Sequence, residues 1–201
     1  MLKLRKVAVT GNLHSGKSTV CQLLQKHGAF VLSADQIVHE LFQNPSVVKS
    51  ILNHFGTDCL DDEGHLDRKK LFDQVQKEPR LLKKLEDLLH PLVLRIIEDD
   101  YLAKNAKEDK KALFVVEVPL LFEVGWEKFF DIILLVTASQ TLREKRFLNQ
   151  GKTLADFNFR NSRQLDPKIA KKRSHEVIVN DGDFNHLEAQ VLAIVKKIKP
   201  F

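Results

Sequence analysis

"VTGNLHSGKSTV", residues 9–20, is the stretch whose reading decides the fold. Gly11, Gly16, Lys17 and Ser18 stand at the G-x-x-x-x-G-K-[ST] spacing. In such a loop successive backbone N–H groups wrap a phosphate chain, and the helix that follows presents its positive end to it. The lysine reaches the β- and γ-phosphates and the hydroxyl holds Mg²⁺. Context turns the spacing into a structural statement. Lys6 to Thr10 is a short, mostly apolar run that reads as a buried strand. After Lys17, Val20, Leu23 and Leu24 share one face of a predicted helix, which Gly28 closes. Ala29 to Leu32 then reads as a second strand. Inside the loop, Asn12 and His14 belong to the few non-glycine types enriched at positive φ, so each is expected to hold an angle that glycine would otherwise supply.

Working outward, further apolar strands are expected at Ala112–Val118, Asp131–Val136 and Glu176–Val179. Residues 33–111 separate the second strand from the third, where a crossover needs only about a dozen. That interval is helical in pattern. Pro45 can open one helix and Asp67 another, and Leu81, Leu85, Leu88, Leu92 and Ile96 repeat at three- and four-residue spacing, flanked by Leu82, Leu89, Val93 and Ile97. Pro91 is expected to restart this last helix rather than sit within it. The interval therefore reads as an inserted helical lobe.

Ligands of open parallel sheets gather at the carboxyl ends of the strands. Asp35 follows the second strand there, where a carboxylate accepts or orients the proton of an attacking hydroxyl; the alternative is a helix cap. Glu117 closes the third strand, and a carboxylate inside so apolar a run needs a metal or an arginine beside it; both readings stay open. Arg143 and Arg146 are three apart on a predicted helix after the fourth strand, placed to neutralise charge on a transferring phosphoryl group. Lys152, Arg160 and Arg163 lie in a polar stretch and read as solvated surface. So do the runs Lys107–Lys111, Lys171–Arg173 and Lys196–Lys199. Asp61–Gly64 matches D-x-x-G but follows no apolar strand, and His54, His65, His175 and His186 form no metal-ligand spacing.

Bulk properties narrow the function classes. With 43% hydrophobic and 29% charged residues in 201, the chain has the balance of a globular domain rather than a disordered one. The net charge of +5 suits an anionic partner without specifying it. Thirteen phenylalanines fall mostly within apolar periodicity, as core residues do, which argues against a base-stacking nucleic-acid platform. Cys21 and Cys59 form no disulfide framework, and no run has the length of a signal peptide or membrane span. We expect a soluble, cytoplasmic protein without nucleic-acid or membrane partners, monomeric in solution.

Eight elements in order resemble one family, the dephospho-coenzyme A kinases: "TGNLHSGKSTV", "AFVLSADQIVHELF", "FGTDCLDDEGHLDRKKL", "LEDLLHPLV", "VEVPLLFE", "QTLREKR", "RNSRQ" and "VIVNDGD". They carry Leu85, Glu86, His90 and Pro91, Gln140, Arg143 and Arg146, Arg160 and Gln164, and Asn180 and Gly182. The resemblance implies an α/β fold of the P-loop NTPase type: three α/β/α layers on a five-stranded parallel sheet, with an inserted helical lobe and a lid. On this chain the nucleotide core would be residues 1–40 and 110–201, the lid about 145–170, and the acceptor-binding lobe 41–109. It further implies transfer of the γ-phosphate of ATP to the ribose 3′-hydroxyl of dephospho-coenzyme A, with ATP and Mg²⁺ as cofactors. Asn12, Leu13, His14, Ser15, Gly16, Lys17, Ser18 and Thr19 would hold the phosphates and Asn180 the region near the base. Ser18 and Glu117 would hold the metal, and Asp35, Lys17, Arg143 and Arg146 would be catalytic. The family loop usually has glycine where Asn12 and His14 stand, and often Asp where Glu117 stands. The large insert and the H-P element favour the coenzyme A precursor over a nucleoside monophosphate.

Overall fold

The computed structural model describes residues 4–106 and 113–198. The expected lobe end at residue 109, the Lys107–Lys111 run, the first residue of the third expected strand, Ala112, and Lys199 lie outside them. Five strands form one parallel sheet: β1 (Arg5–Gly11), β2 (Phe30–Ser33), β3 (Leu113–Glu117), β4 (Ile132–Thr137) and β5 (Glu176–Val179). Their order is β2-β3-β1-β4-β5. The central strand pairs with both neighbours, Val7 opposite Val115 and Ile132, and Val9 opposite Glu117 and Leu134. Such near-continuous apolar runs are what a sheet covered on both faces requires. Because β1 connects onward to one side of the sheet and β3 to the other, the carboxyl end of β1 faces a crevice at the reversal of strand order.

One face of the sheet packs on α1 (Lys17–Lys26) and α9 (Phe184–Ile198). Val20, Leu23 and Leu24 from the first helix and Leu187, Val191 and Ile194 from the second join Val7, Val9, Leu134 and Val136 in one buried cluster. After β4 come α6 (Gln140–Leu148), α7 (Leu154–Ser162) and α8 (Pro167–Arg173). Between the second and third strands run α2 (Ala34–Leu41), α3 (Pro45–Phe55), α4 (Arg68–Lys77) and α5 (Pro79–Asn105). Their starts follow from capping chemistry: the Asn44 side chain accepts from Ser46 N–H, and Asp67 from the N–H groups of Lys69 and Lys70. The D-x-x-G match resolves into a turn in which Asp61 Oδ1 accepts from the N–H groups of Glu63 and His65.

Pro91 does not restart a helix; it sits inside α5, which is continuous. Proline removes one backbone donor and crowds the carbonyl four residues back, here that of Asp87. Pro91 and Asp87 both lie on the exposed side, where water can serve that carbonyl. Leu85, Leu89, Val93, Ile97 and Tyr101 form a buried row at four-residue spacing, and this packing holds the helix through the proline.

The chain divides into two compact units, the described residues of Met1–Ser33 with Tyr101–Phe201, and Ala34–Asp100. Buried side chains of the second include Ile37, Val47, Ile51, Leu71, Val75, Leu89 and Val93. None of the helices among the described residues is long and apolar enough to cross a membrane.

Candidate active site

The chain leaves β1 at Gly11, turns through Asn12–Ser15 and enters α1 at Lys17. Gly11 has φ +147°, and a Cβ there would lie 1.9 Å from the Val136 carbonyl oxygen, so only glycine lets β1 run against β4 at this point. Gly16 has φ +95°, and a Cβ on it would strike the Asn180 amide at 2.2 Å. No side chain caps the start of α1 among the described residues, and its first turn holds no acid. By contrast α3, α4, α7 and α8 are capped by Asn44, Asp67, Thr153 and Asp166. With no side-chain cap at Gly16 and no acid in the first turn, an anion is the partner that the head of α1 suits.

The loop is held from three sides. Leu13 N–H donates to Gln164 Oε1 at 2.7 Å. Asn180 Nδ2 donates to Ser15 O at 2.8 Å, and its backbone N–H donates to Thr137 O at 2.8 Å. Arg146 bridges His14 O at 3.4 Å and Asn180 O at 3.1 Å. Within the loop Ser15 N–H donates to Asn12 O, and the buried Lys17 ammonium donates to Gly11 O at 3.1 Å and Asn12 O at 3.0 Å. The Ser15 hydroxyl is buried with no hydrogen-bond partner among the described residues.

His14 holds φ +57°, as its residue type allows. Asn12 does not: His14 is the one non-glycine at positive φ among the described residues. Asn12 works through its side chain instead, buried, with Oδ1 accepting from the Thr137 hydroxyl at 3.4 Å. Burial and the cations Lys152, Lys17, Arg160 and Arg146 lower the pKa of His14 from its ordinary value.

Ser18 Oγ donates to Glu117 Oε1 at 3.0 Å, which joins the head of α1 to the end of β3. Thr19 lies in the first turn of α1 behind it. A hydroxyl and a carboxylate converging beside a phosphate loop are an oxygen donor set that fits Mg²⁺, which takes one or two carboxylates plus phosphate oxygens. Burial, with Glu117 nearby, pushes the Cys21 thiol up, and burial also raises that of Cys59, so neither is an activated nucleophile.

Arg143 and Arg146 share α6 but have different partners. Arg143 is buried, donating to Ala138 O at 3.2 Å and Asn161 Oδ1 at 2.8 Å, with its guanidinium 5.6 Å from the centre of the Phe157 ring. The oxygens that hold both arginines are neutral. Asp35 is exposed in the first turn of α2, not at a cap position, and follows the end of β2 by two residues. Gln164 and Thr137, which secure the loop, carry no motif of their own; only the ordered "RNSRQ" element points to Gln164.

A parallel sheet of this order, with a phosphate loop at the end of its first strand, defines a protein of the P-loop nucleotide-binding class. The dephospho-CoA kinase family model matches residues 5–186. A dephospho-CoA kinase of Chlamydia pneumoniae is 37% identical over 193 residues, 95% of each chain. One from Protochlamydia amoebophila is 36% identical over 201 residues, 99% of this chain and 98% of its own. The crystal structure of TT1252 from Thermus thermophilus superposes with a TM-score of 0.85 at 30% identity, covering 98% of this chain and 100% of that one. The chain belongs to the dephospho-CoA kinase family.

Proposed function

We propose that the chain transfers the γ-phosphoryl group of ATP to the ribose 3′-hydroxyl of dephospho-coenzyme A, giving coenzyme A and ADP. The observation that carries the reading is the uncapped head of α1, with Lys17 buried behind the Gly11–Gly16 loop and Ser18 paired to Glu117. Main-chain amides from Asn12 to Thr19 bind the phosphate chain, and Lys17 exchanges its two loop carbonyls for β- and γ-oxygens. Ser18 and Glu117 would hold Mg²⁺, which would supply neutralisation of the negative charge on the phosphate chain. Asp35 accepts the proton of the 3′-hydroxyl as its oxygen bonds to the γ-phosphorus and the bond to ADP breaks. Arg143 and Arg146 stabilise the charge on the transferring group, and Asn180 stands near the base.

Residues 145–170 act as the lid, 41–109 as the acceptor lobe, and 1–40 with 110–201 as the nucleotide core; the enzyme works as a cytoplasmic monomer, without nucleic acid or membrane. The deciding experiment supplies purified protein with ATP, Mg²⁺ and a panel of acceptors. Coenzyme A is expected from dephospho-coenzyme A at a rate far above any transfer to AMP or nucleosides. Transfer to AMP with none to dephospho-coenzyme A overturns the reading.

A further inference from the structure

His14 is a titratable ring within the phosphate loop, between Gly11 and Gly16. Its backbone holds φ +57°, and its carbonyl is gripped by Arg146. Its ring packs edge-on against Phe147 of α6, centroids 5.0 Å apart. Lys152, in the connection from α6 to α7, has its ammonium 5.1 Å from the centre of that same Phe147 ring. The charged groups whose fields reach His14 come from four places: Lys17 of α1, Arg146 of α6, Lys152 of the connection and Arg160 of α7. All four are positive. Such a cluster favours the neutral ring while the phosphate site holds no anion.

We propose that His14 is a phosphate-responsive cation, whose imidazole takes up a proton from solvent when the triphosphate enters and then adds positive charge beside the phosphate chain. The proposal rests on the reading of Gly11–Ser18 as an ATP site. A triphosphate lowers the local potential by several charges at the point where the four cations had raised it, and opposite charge favours the ionised ring. The lowered pKa of the free state fits this order of events. The sign follows: a group with a low pKa when free and a higher one when bound makes binding take up protons. Affinity for MgATP strengthens as pH falls through the bound-state pKa, and levels off below the free-state one.

The test is calorimetric titration of the whole protein with MgATP, without acceptor, near pH 7 in two buffers of different ionisation enthalpy. The wild type is expected to take up a fraction of a proton more than His14→Asn, whose residue suits positive φ but does not titrate. Equal uptake in the two overturns the inference while leaving the ATP site intact; no binding of MgATP to the wild type overturns both. A measurement free of any variant is the NMR titration of the His14 ring with and without MgATP. Its pKa is expected to rise by about one unit on binding, and an unchanged value overturns the inference.

Discussion

Lys17 carries its charge into a place where two loop carbonyls hold it, Gly11 O and Asn12 O. These are neutral acceptors that a triphosphate outcompetes, because an anionic oxygen adds charge–charge attraction to the hydrogen bond that a carbonyl does not offer. Lys17→Ala is therefore expected to lower transfer by about 10³-fold, since the developing charge loses its cation. Asp35→Asn keeps size and polarity but cannot take a proton. Its turnover is expected to fall by about 10²–10⁴-fold while MgATP affinity stays near wild type. Steady-state kinetics beside direct ATP binding separates the two, and near-wild-type turnover in Asp35→Asn would remove it as the base. Ser18, Lys17 and Gly16 were legible as residues because their chemistry is tied to fixed spacing. Thr137 was not, because an ordinary threonine acquires its role only through what lies across from it, and Gln164 was legible only through the ordered "RNSRQ" element.

At the scale of elements, most boundaries follow from local chemistry. The α1 helix stops where Gly28 N–H donates to Gln25 O and Ala29 N–H to Leu24 O, the bond pattern that glycine after a helix foretells. In α7 the Thr153 hydroxyl accepts from Asp156 N–H while Asp156 accepts in return, a capping box readable in "TLAD". Those bonds hold the Asp156 carboxyl below its ordinary range. Its contribution to α7 is therefore present above the unfolded carboxylate pKa and lost as pH falls through the lower folded value. The exception is α5, where local chemistry at Pro91 pointed to a break and long-range packing overrode it. Pro91→Ala restores the missing donor on an exposed face. It is expected to stabilise the protein by about 1–3 kcal/mol in urea unfolding, and a loss of stability would mean that the proline sets a bend on which the packing depends.

Across the whole molecule, the loop is a junction. Its ties run to the ends of β4 and β5, to α6 and to the connection between α7 and α8, through Thr137, Asn180, Arg146 and Gln164. A ligand that fills this junction binds the folded chain alone. MgATP at about a hundred times its Kd is therefore expected to stabilise the protein by about 2.7 kcal/mol, seen as a raised Tm, and Lys17→Ala is expected to lose most of that gain. By itself the sequence determined the five strands, the phosphate loop, the inserted helical stretch and the carboxylates at the strand ends. Apolar runs and turn residues act on their near neighbours, and near neighbours are what a linear string records. Only the tertiary structure decided that α5 passes through its proline, that Asn12 holds the loop by its side chain, and that the fields of four cations reach His14. Each of these depends on groups remote in the chain, Thr137, Lys152 and Arg160 among them, where burial and charge rather than sequence spacing set the outcome.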